Sequence, residues 1–345
     1  MASTTNNRNM YLDYIKGLTC ICVVFIHCQF PGTFGVLIGG IIKFAVPIFF
    51  MVSGYYAAKN NTYHAKRKIV NIIKLAVTSE LLYLCFELIK IVAKSESVVE
   101  YLKEEFSVVS IVSLLIFNKP ITSSHLWFLY ALIYCYITLW IFRKLTLPKH
   151  LLNTFVIIGH VVFLMLGEGL TLLGHPCQFD VNILDFSYSF TPYNLFLFRA
   201  LPYFLMGYIF REQNIRISAG SKYRALAYIG LILSVIERVY LGWFQFYLGT
   251  IPVATILFLW AVEKQERTIE NILMKKIMII GKEHSDFIYI IHLLVASVVL
   301  IISKHVKLGI YGIVFDYAYP FIVLGISLFM SILKSNSRLF LKDGD

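Results

Sequence analysis

An all-α integral membrane protein is the fold class this sequence predicts, a bundle of about ten transmembrane helices with both termini cytoplasmic. Three observations carry that expectation. Hydrophobic residues make up 58% of the 345 residues and charged residues only 15%, where a soluble domain carries about 25%. Long, nearly uncharged runs recur at Ile41 to Tyr56, Leu151 to Leu166, Ala225 to Leu241, Phe246 to Val262, Phe287 to Ser303 and Pro320 to Leu333. Each approaches the roughly 20 residues that a helix needs to cross about 30 Å of hydrocarbon. The third observation is that Lys and Arg gather in alternate loops, as the positive-inside rule requires of cytoplasmic segments.

Taken in order, the spans are expected at roughly 17–30, 36–57, 70–92, 125–142, 151–166, 192–210, 225–241, 246–262, 284–303 and 311–333. Cytoplasmic tails of about 1–10 and 335–345 leave residues 1–345 as a single transmembrane domain. The basic, Asn-rich start leads directly into the first span with no A-x-A-like site, so no cleaved signal peptide is expected. Pro47 can kink the second span, and Ser53-Gly54 permits close helix approach near its cytoplasmic end. The basic loops hold Lys59, Lys66, Arg67, Lys68 and Lys74; Arg143, Lys144 and Lys149; Arg211, Arg216, Lys222 and Arg224; and Lys264, Arg267, Lys275 and Lys276. Between them, Gly167 to Thr191 has no Lys or Arg while carrying Glu168, Asp180 and Asp185. Val108 to Phe117 is apolar but too short to span, and reads as an interfacial or re-entrant piece on the outer side.

The net charge of +11 is thus spent on topology, which argues against nucleic acid as a partner. The 6 cysteines form no C-x-x-C pair and mostly fall in spans, where they behave as small hydrophobes; neither a metal site nor a disulfide framework is expected.

Ionisable residues inside spans are costly and mark candidate sites. In "LDYIKGLTCICVVFIH", the eleven steps from Lys16 to His27 turn about 1100°, so both side chains share a face about 16 Å apart along the axis. Asp13 lies on nearly the same face, within reach of an ion contact with Lys16. Geometry alone leaves two readings open: a polar path into the bilayer, or snorkelling ends with a hydrogen-bonded histidine. His125 and Trp127 open the fourth span, Arg199 and Tyr203 flank Pro202 in the sixth, and Tyr289 and His292 lie in the ninth. A buried guanidinium such as Arg199 needs an anionic or carbonyl partner. Lys43, facing either a cavity or the interface, completes the intramembrane set with Glu80, Glu87, His160 and the Glu237-Arg238 pair, each of which favours structural pairing or a span end.

These clusters resemble the acyltransferase 3 family of integral membrane acyltransferases. Lys16 and His27 match its basic residue followed, after ten intervening residues, by a histidine, with Asp13 just before. "HLWFL" at 125–129, "FF-V-SGYY" in the second span, "FR-LPYF--GY" in the sixth and "S--IY-IH" in the ninth follow in family order. Many relatives carry arginine at the place of Lys16 and an R-x-x-R-like pair where this chain reads "KRKIVNIIK", Lys66 to Lys74. With no appended hydrolase-like domain expected, the chain resembles the short members.

The resemblance implies transfer of an acyl group, usually acetyl, from cytoplasmic acetyl-CoA to a hydroxyl of a cell-surface or envelope glycan. It places the enzyme in the cytoplasmic membrane of a bacterium, and it makes His27 a base or a transient acyl carrier, with Lys16 and Asp13 beside it. Lys16, Lys66, Arg67, Lys68, Lys74 and Ser53 are then expected to meet the donor, and His125, Trp127, Arg199, Tyr203, Tyr289 and His292 the acceptor. No metal is called for. Two alternatives remain on the sequence, a polytopic transporter or flippase and an acyltransferase acting on a non-glycan small molecule; homo-oligomerisation also stays open.

Overall fold

The protein is described from a computed structural model covering residues 9–58, 62–175, 177–183, 186–217, 220–244, 246–305 and 312–340. Lys59, Asp185, the outer parts of both tails and the first residue of the tenth expected span lie outside these residues. Helices dominate: α1 (Met10–His27), α2 (Gly32–Ile41), α3 (Ala45–Ala58), α4 (Thr62–Ala93), α5 (Val98–Glu105), α6 (Val108–Phe117), α7 (Trp127–Lys144) and α8 (Lys149–Leu164). They continue with α9 (Leu170–Leu172), α10 (Phe196–Arg199), α11 (Leu201–Glu212), α12 (Ser221–Leu241), α13 (Thr250–Glu263), α14 (Ile272–Ile279), α15 (Ser285–His305) and α16 (Gly312–Phe340). A 3₁₀ turn at Ile42–Phe44 joins α2 to α3, and a π-helical turn at Ile280–His284 joins α14 to α15.

Among the described residues, 7 helical stretches are long and apolar enough to cross a membrane: Met10–His27, Gly32–Ala58, Ala65–Ala93, Ser124–Lys144, Lys149–Leu172, Ile272–Lys304 and Gly312–Asn336. The other three expected spans hold helices of a different kind. The stretch at 192–210 breaks at Ala200 into α10 and α11, with Pro202 in the first turn of α11, where its missing N–H does no harm. The helix α12 carries Lys222, Arg224, Glu237 and Arg238, and α13 has only 14 residues. Ten residues is also all that α6 has, between a Ser107 N-cap and Asn118 in the left-handed region, in line with a segment too short to span.

Two departures from the expected elements have local causes. The first span begins at Met10 rather than 17, because the Asn9 side chain accepts from the N–H groups of Tyr11 and Leu12 and so starts the helix early. Asp13 and Lys16 are therefore inside α1, and His27 is its last residue rather than a group deep in a span. Between α9 and α10 the chain forms an antiparallel hairpin, β1 (Phe179–Ile183) with β2 (Phe186–Phe190), Phe179 opposite Phe190. Its FDVNI and FSYSF runs alternate apolar and polar residues with the period of a strand.

The chain divides into two compact units. Residues 1–52 and 215–345 form the first, residues 53–214 the second. In the first, α1 runs alongside α14, the π-helical turn and α15. Small residues allow it: a Cβ on Gly17 would strike the Ile277 carbonyl and Gly281, and one on Gly281 would strike the Asp13 carbonyl and Gly17. Asn9 Nδ2 donates to the Ala261 carbonyl of α13 at 3.0 Å, and Ser234 Oγ of α12 donates to the Gly40 carbonyl of α2 at 2.7 Å. In the second unit, the chain end of α3 lies on α11, where Gly54 leaves no room for a Cβ against the Phe204 carbonyl. Tyr136 of α7 donates to the Ser53 carbonyl at 3.3 Å, which fixes that end further.

Candidate active site

In the first unit the seam between α1 and α15 collects the polar residues. Lys16 Nζ lies 2.9 Å from Asp286 Oδ1, with the lysine side chain 22% and the aspartate side chain 75% exposed. Asp13 is buried one turn earlier. Ser285 donates from Oγ to the Gly281 carbonyl at 3.0 Å, one of the bonds that tie α15 to the π-helical turn beneath it.

At the far end of α1, His27 is exposed, and its ring centre lies 5.2 Å from that of His292, with the planes 46° apart. His292 is fully buried, and its Nδ1 faces the carbonyls of Tyr289 at 2.8 Å and Ile288 at 3.1 Å. A ring nitrogen facing carbonyl oxygens must carry the proton, so neutral His292 keeps its lone pair on Nε2. The Tyr289 ring is 6.2 Å from His292. Lys16, His27, Tyr289 and His292, named for different roles from sequence, thus share one helix seam.

The second unit carries two further groups. Glu80 of α4 accepts from the backbone N–H groups of Ile121 at 3.3 Å and Thr122 at 3.0 Å, from the Thr122 hydroxyl, and from Tyr130 Oη at 3.1 Å. That carboxylate pins the turn leading into α7. On the turn, His125 is 1% exposed, with Nδ1 2.8 Å from Ser123 Oγ and its ring against Tyr83 at 5.1 Å. The Arg199 guanidinium sits 3.3 Å above the centre of the Trp127 ring, a desolvated cation–π contact. Tyr203 is buried elsewhere, edge-on to His160 at 4.7 Å. Replacing Arg199 by alanine is expected to destabilise the protein by about 2 kcal/mol, with lysine recovering part of the loss, read as thermal unfolding in detergent.

The second group is an open cleft of about 320 Å³ lined by Lys66, Trp140, Arg143 and Lys144. Arg143 is held there by donation to the Ala57 carbonyl at 3.0 Å, and Lys144 lies over the Trp140 ring at 5.3 Å. Of the four cations expected to meet a donor along Lys66 to Lys74, Lys66 is on the cleft wall; Arg67, Lys68 and Lys74 are exposed on other positions of α4. Trp140, Arg143 and Lys144 were legible only as a basic, aromatic helix end. Their i, i+3, i+4 spacing puts them on one face, and that was the signal for a site. Among the described residues no cluster of His, Cys, Asp and Glu can hold a metal ion.

The first unit can thus do acid–base chemistry at an accessible imidazole, and the second by itself offers cationic and aromatic sites for anions and rings. No curated protein and no solved structure matches the chain. A family model described as an acyltransferase domain, Acyl_transf_3, matches residues 9–335. With apolar helices of membrane-crossing length and that match over nearly its whole length, the chain belongs to the acyltransferase 3 family and is a membrane acyltransferase.

Proposed function

We propose that the protein is an O-acetyltransferase of a bacterial cytoplasmic membrane, moving acetyl from cytoplasmic acetyl-CoA to a hydroxyl of an extracytoplasmic glycan. The observation that carries this reading is the family match across residues 9–335. In this reading ten helices cross the bilayer, both termini are cytoplasmic, and α1 runs outward from Asp13 and Lys16 to His27.

The donor supplies a thioester carbonyl. His27, as general base, takes the proton of the acceptor hydroxyl as that oxygen bonds to the carbonyl carbon. The carbon–sulfur bond breaks, and the proton passes from His27 to the departing thiolate. A general base of this kind contributes about 10² to 10⁴ in rate. The exposed position of His27 suits a group that must meet the acceptor. Lys16, paired with Asp286, and buried Asp13 form the polar face of α1.

The cleft at Lys66 suits the donor's nucleotide end, with cations for phosphates and the Trp140 ring for the base. Arg67, Lys68 and Lys74 add longer-range attraction, and Ser53, whose carbonyl accepts from Tyr136, lies on α3 in the same unit. On the acceptor side, His125 and the Trp127–Arg199 pair offer an aromatic face and donors to a sugar, while Tyr203 lies apart from them against His160.

Lys66→Ala and Lys144→Ala are each expected to raise KM for acetyl-CoA about tenfold with kcat within about twofold, because a hydrogen bond to a charged group is worth about 1.5–3 kcal/mol. Initial rates against donor concentration check it. The reading itself is tested with purified protein in vesicles supplied with isotopically labelled acetyl-CoA on the cytoplasmic side. Release of free coenzyme A with label on the glycan supports it; glycan or solute movement without label would favour a carrier, and label on a soluble metabolite a non-glycan acceptor.

A further inference from the structure

Lys43 and Arg238, each set within an expected span, meet at one indole in the first unit. Lys43 Nζ lies 3.4 Å from the centre of the Trp243 ring and 5.9 Å from that of Tyr247. The Arg238 guanidinium carbon lies 4.6 Å from the same Trp243 centre, so the two cations are within about 8 Å of each other. Small residues of α2 make the room. A Cβ on Gly39 would come within 3.4 Å of Arg238 Nε, and one on Gly40 within 2.8 Å of the Val235 backbone. The loop after α12 is braced by Tyr247, fully buried, whose Oη donates to the Gly242 carbonyl at 2.6 Å and accepts from the Phe244 N–H at 3.2 Å. Glu237 holds the other end of that loop by accepting from the Gly249 N–H at 3.0 Å.

Two observations say that this cluster is built to receive an anion. Lys43 is only 2% exposed, and an indole face attracts a buried cation without cancelling its charge. Arg238 Nε is buried and has no hydrogen-bond partner among the described residues, whereas buried donors are ordinarily satisfied. The cluster is not sealed, because Trp243 is 40% exposed. Its borders are apolar. Ile41 lies close to Lys43 in the chain, Val239 and Tyr240 follow Arg238, and all three are exposed. An anion carried on a hydrocarbon chain satisfies both the cations and this border; a free anion satisfies only the cations.

We propose that Lys43, Arg238 and Trp243 form a binding site for a lipid phosphate. The Arg238 guanidinium donates to the phosphate oxygens, Lys43 supplies the second positive charge, and the lipid chain lies against the exposed apolar residues of α2 and α12. One chemistry here has two sources, the headgroup of an anionic phospholipid or the diphosphate of a lipid-linked sugar. In the topology proposed above, α12 ends on the outer side, the face from which a glycan acceptor arrives. The choice of face rests on that reading; the site itself does not.

The test uses the full-length protein in neutral detergent, with bound lipid counted by native mass spectrometry. Wild type is expected to bind phosphatidylglycerol at least about tenfold tighter than phosphatidylcholine, whose own cation the two protein cations repel. Arg238→Gln is expected to lose that preference and Arg238→Lys to keep most of it. Lys222→Gln, which removes an exposed charge at the start of the same helix, is expected to leave it unchanged. Should the glutamine variant not fold, Arg238→Met, of similar length and compatible with lipid, takes its place. Equal binding of the two lipids by wild type, or a preference that survives loss of the Arg238 charge, overturns the proposal. Competition then names the source. An isoprenoid diphosphate sugar that displaces phosphatidylglycerol at lower concentration than phosphatidylglycerol itself assigns the site to a lipid-linked acceptor, and weaker displacement assigns it to the phospholipid. Inorganic phosphate displacing as well as either lipid overturns the lipid requirement. None of these measurements reads acetyl transfer, so a wild type that transfers no acetyl contradicts the proposed enzyme function and leaves the phosphate site intact.

Discussion

Replacing His27 by glutamine is expected to lower acetyl transfer by about 10² to 10⁴-fold while protein yield and membrane insertion stay at wild-type levels. Glutamine keeps a polar side chain of similar reach but takes no proton near neutral pH. The fold has little to lose at this position. His27 is exposed, and the end of α1 is closed by backbone, the Cys28 N–H donating to the Val24 carbonyl at 2.7 Å. Initial rates at saturating acetyl-CoA, normalised to folded protein by size-exclusion, check the expectation. A glutamine variant with near-normal rates would assign His27 no part in the chemistry.

The second large effect concerns the seam that holds the site. Gly281→Val is expected to cost at least about 3 kcal/mol and to leave little folded protein, read as a lowered Tm or an aggregated size-exclusion profile. The side chain would meet backbone atoms, the Asp13 carbonyl and Gly17 N, and backbone cannot turn aside as a flexible side chain can. Separating α1 from α15 would also part Lys16 from Asp286 and His27 from His292. A control lies in the same unit: a Cβ at Gly325 meets nothing within 4 Å, so Gly325→Ala in α16 is expected to be neutral or to stabilise by about 0.5–1 kcal/mol. Equal Tm values for the valine and alanine variants would contradict the packing assigned to the seam.

Much of this was legible in the residues. Hydropathy foretold the seven helical stretches that, among the described residues, are long and apolar enough to cross a membrane, and a spacing of eleven residues already put Lys16 and His27 on one face of α1. What could not be read was whatever depends on distant parts of the chain. Asp286 is the partner of Lys16 across 270 residues, and His292 meets His27 only because Gly17 and Gly281 let two helices touch. The start of α1 was misplaced because hydropathy counts apolar residues and ignores the cap that Asn9 supplies. The hairpin at 179–190 was missed because its two five-residue strands sit in a segment read only for charge. Arg143 and Lys144 were counted only toward topology, where with Trp140 they also wall the cleft with Lys66. Glu80 was rightly read as structurally paired, yet its partners, the turn carrying His125 among them, came from the fold.

The most direct test of the central claim is mass spectrometry of envelope glycans from bacterial cells making the wild-type chain, the His27→Gln variant, or neither. The account predicts glycans heavier by one acetyl group per modified hydroxyl in the wild-type cells alone, lost on mild alkaline treatment as an ester must be. Glycans that are identical in all three, or acetylated equally by the His27→Gln cells, would contradict it.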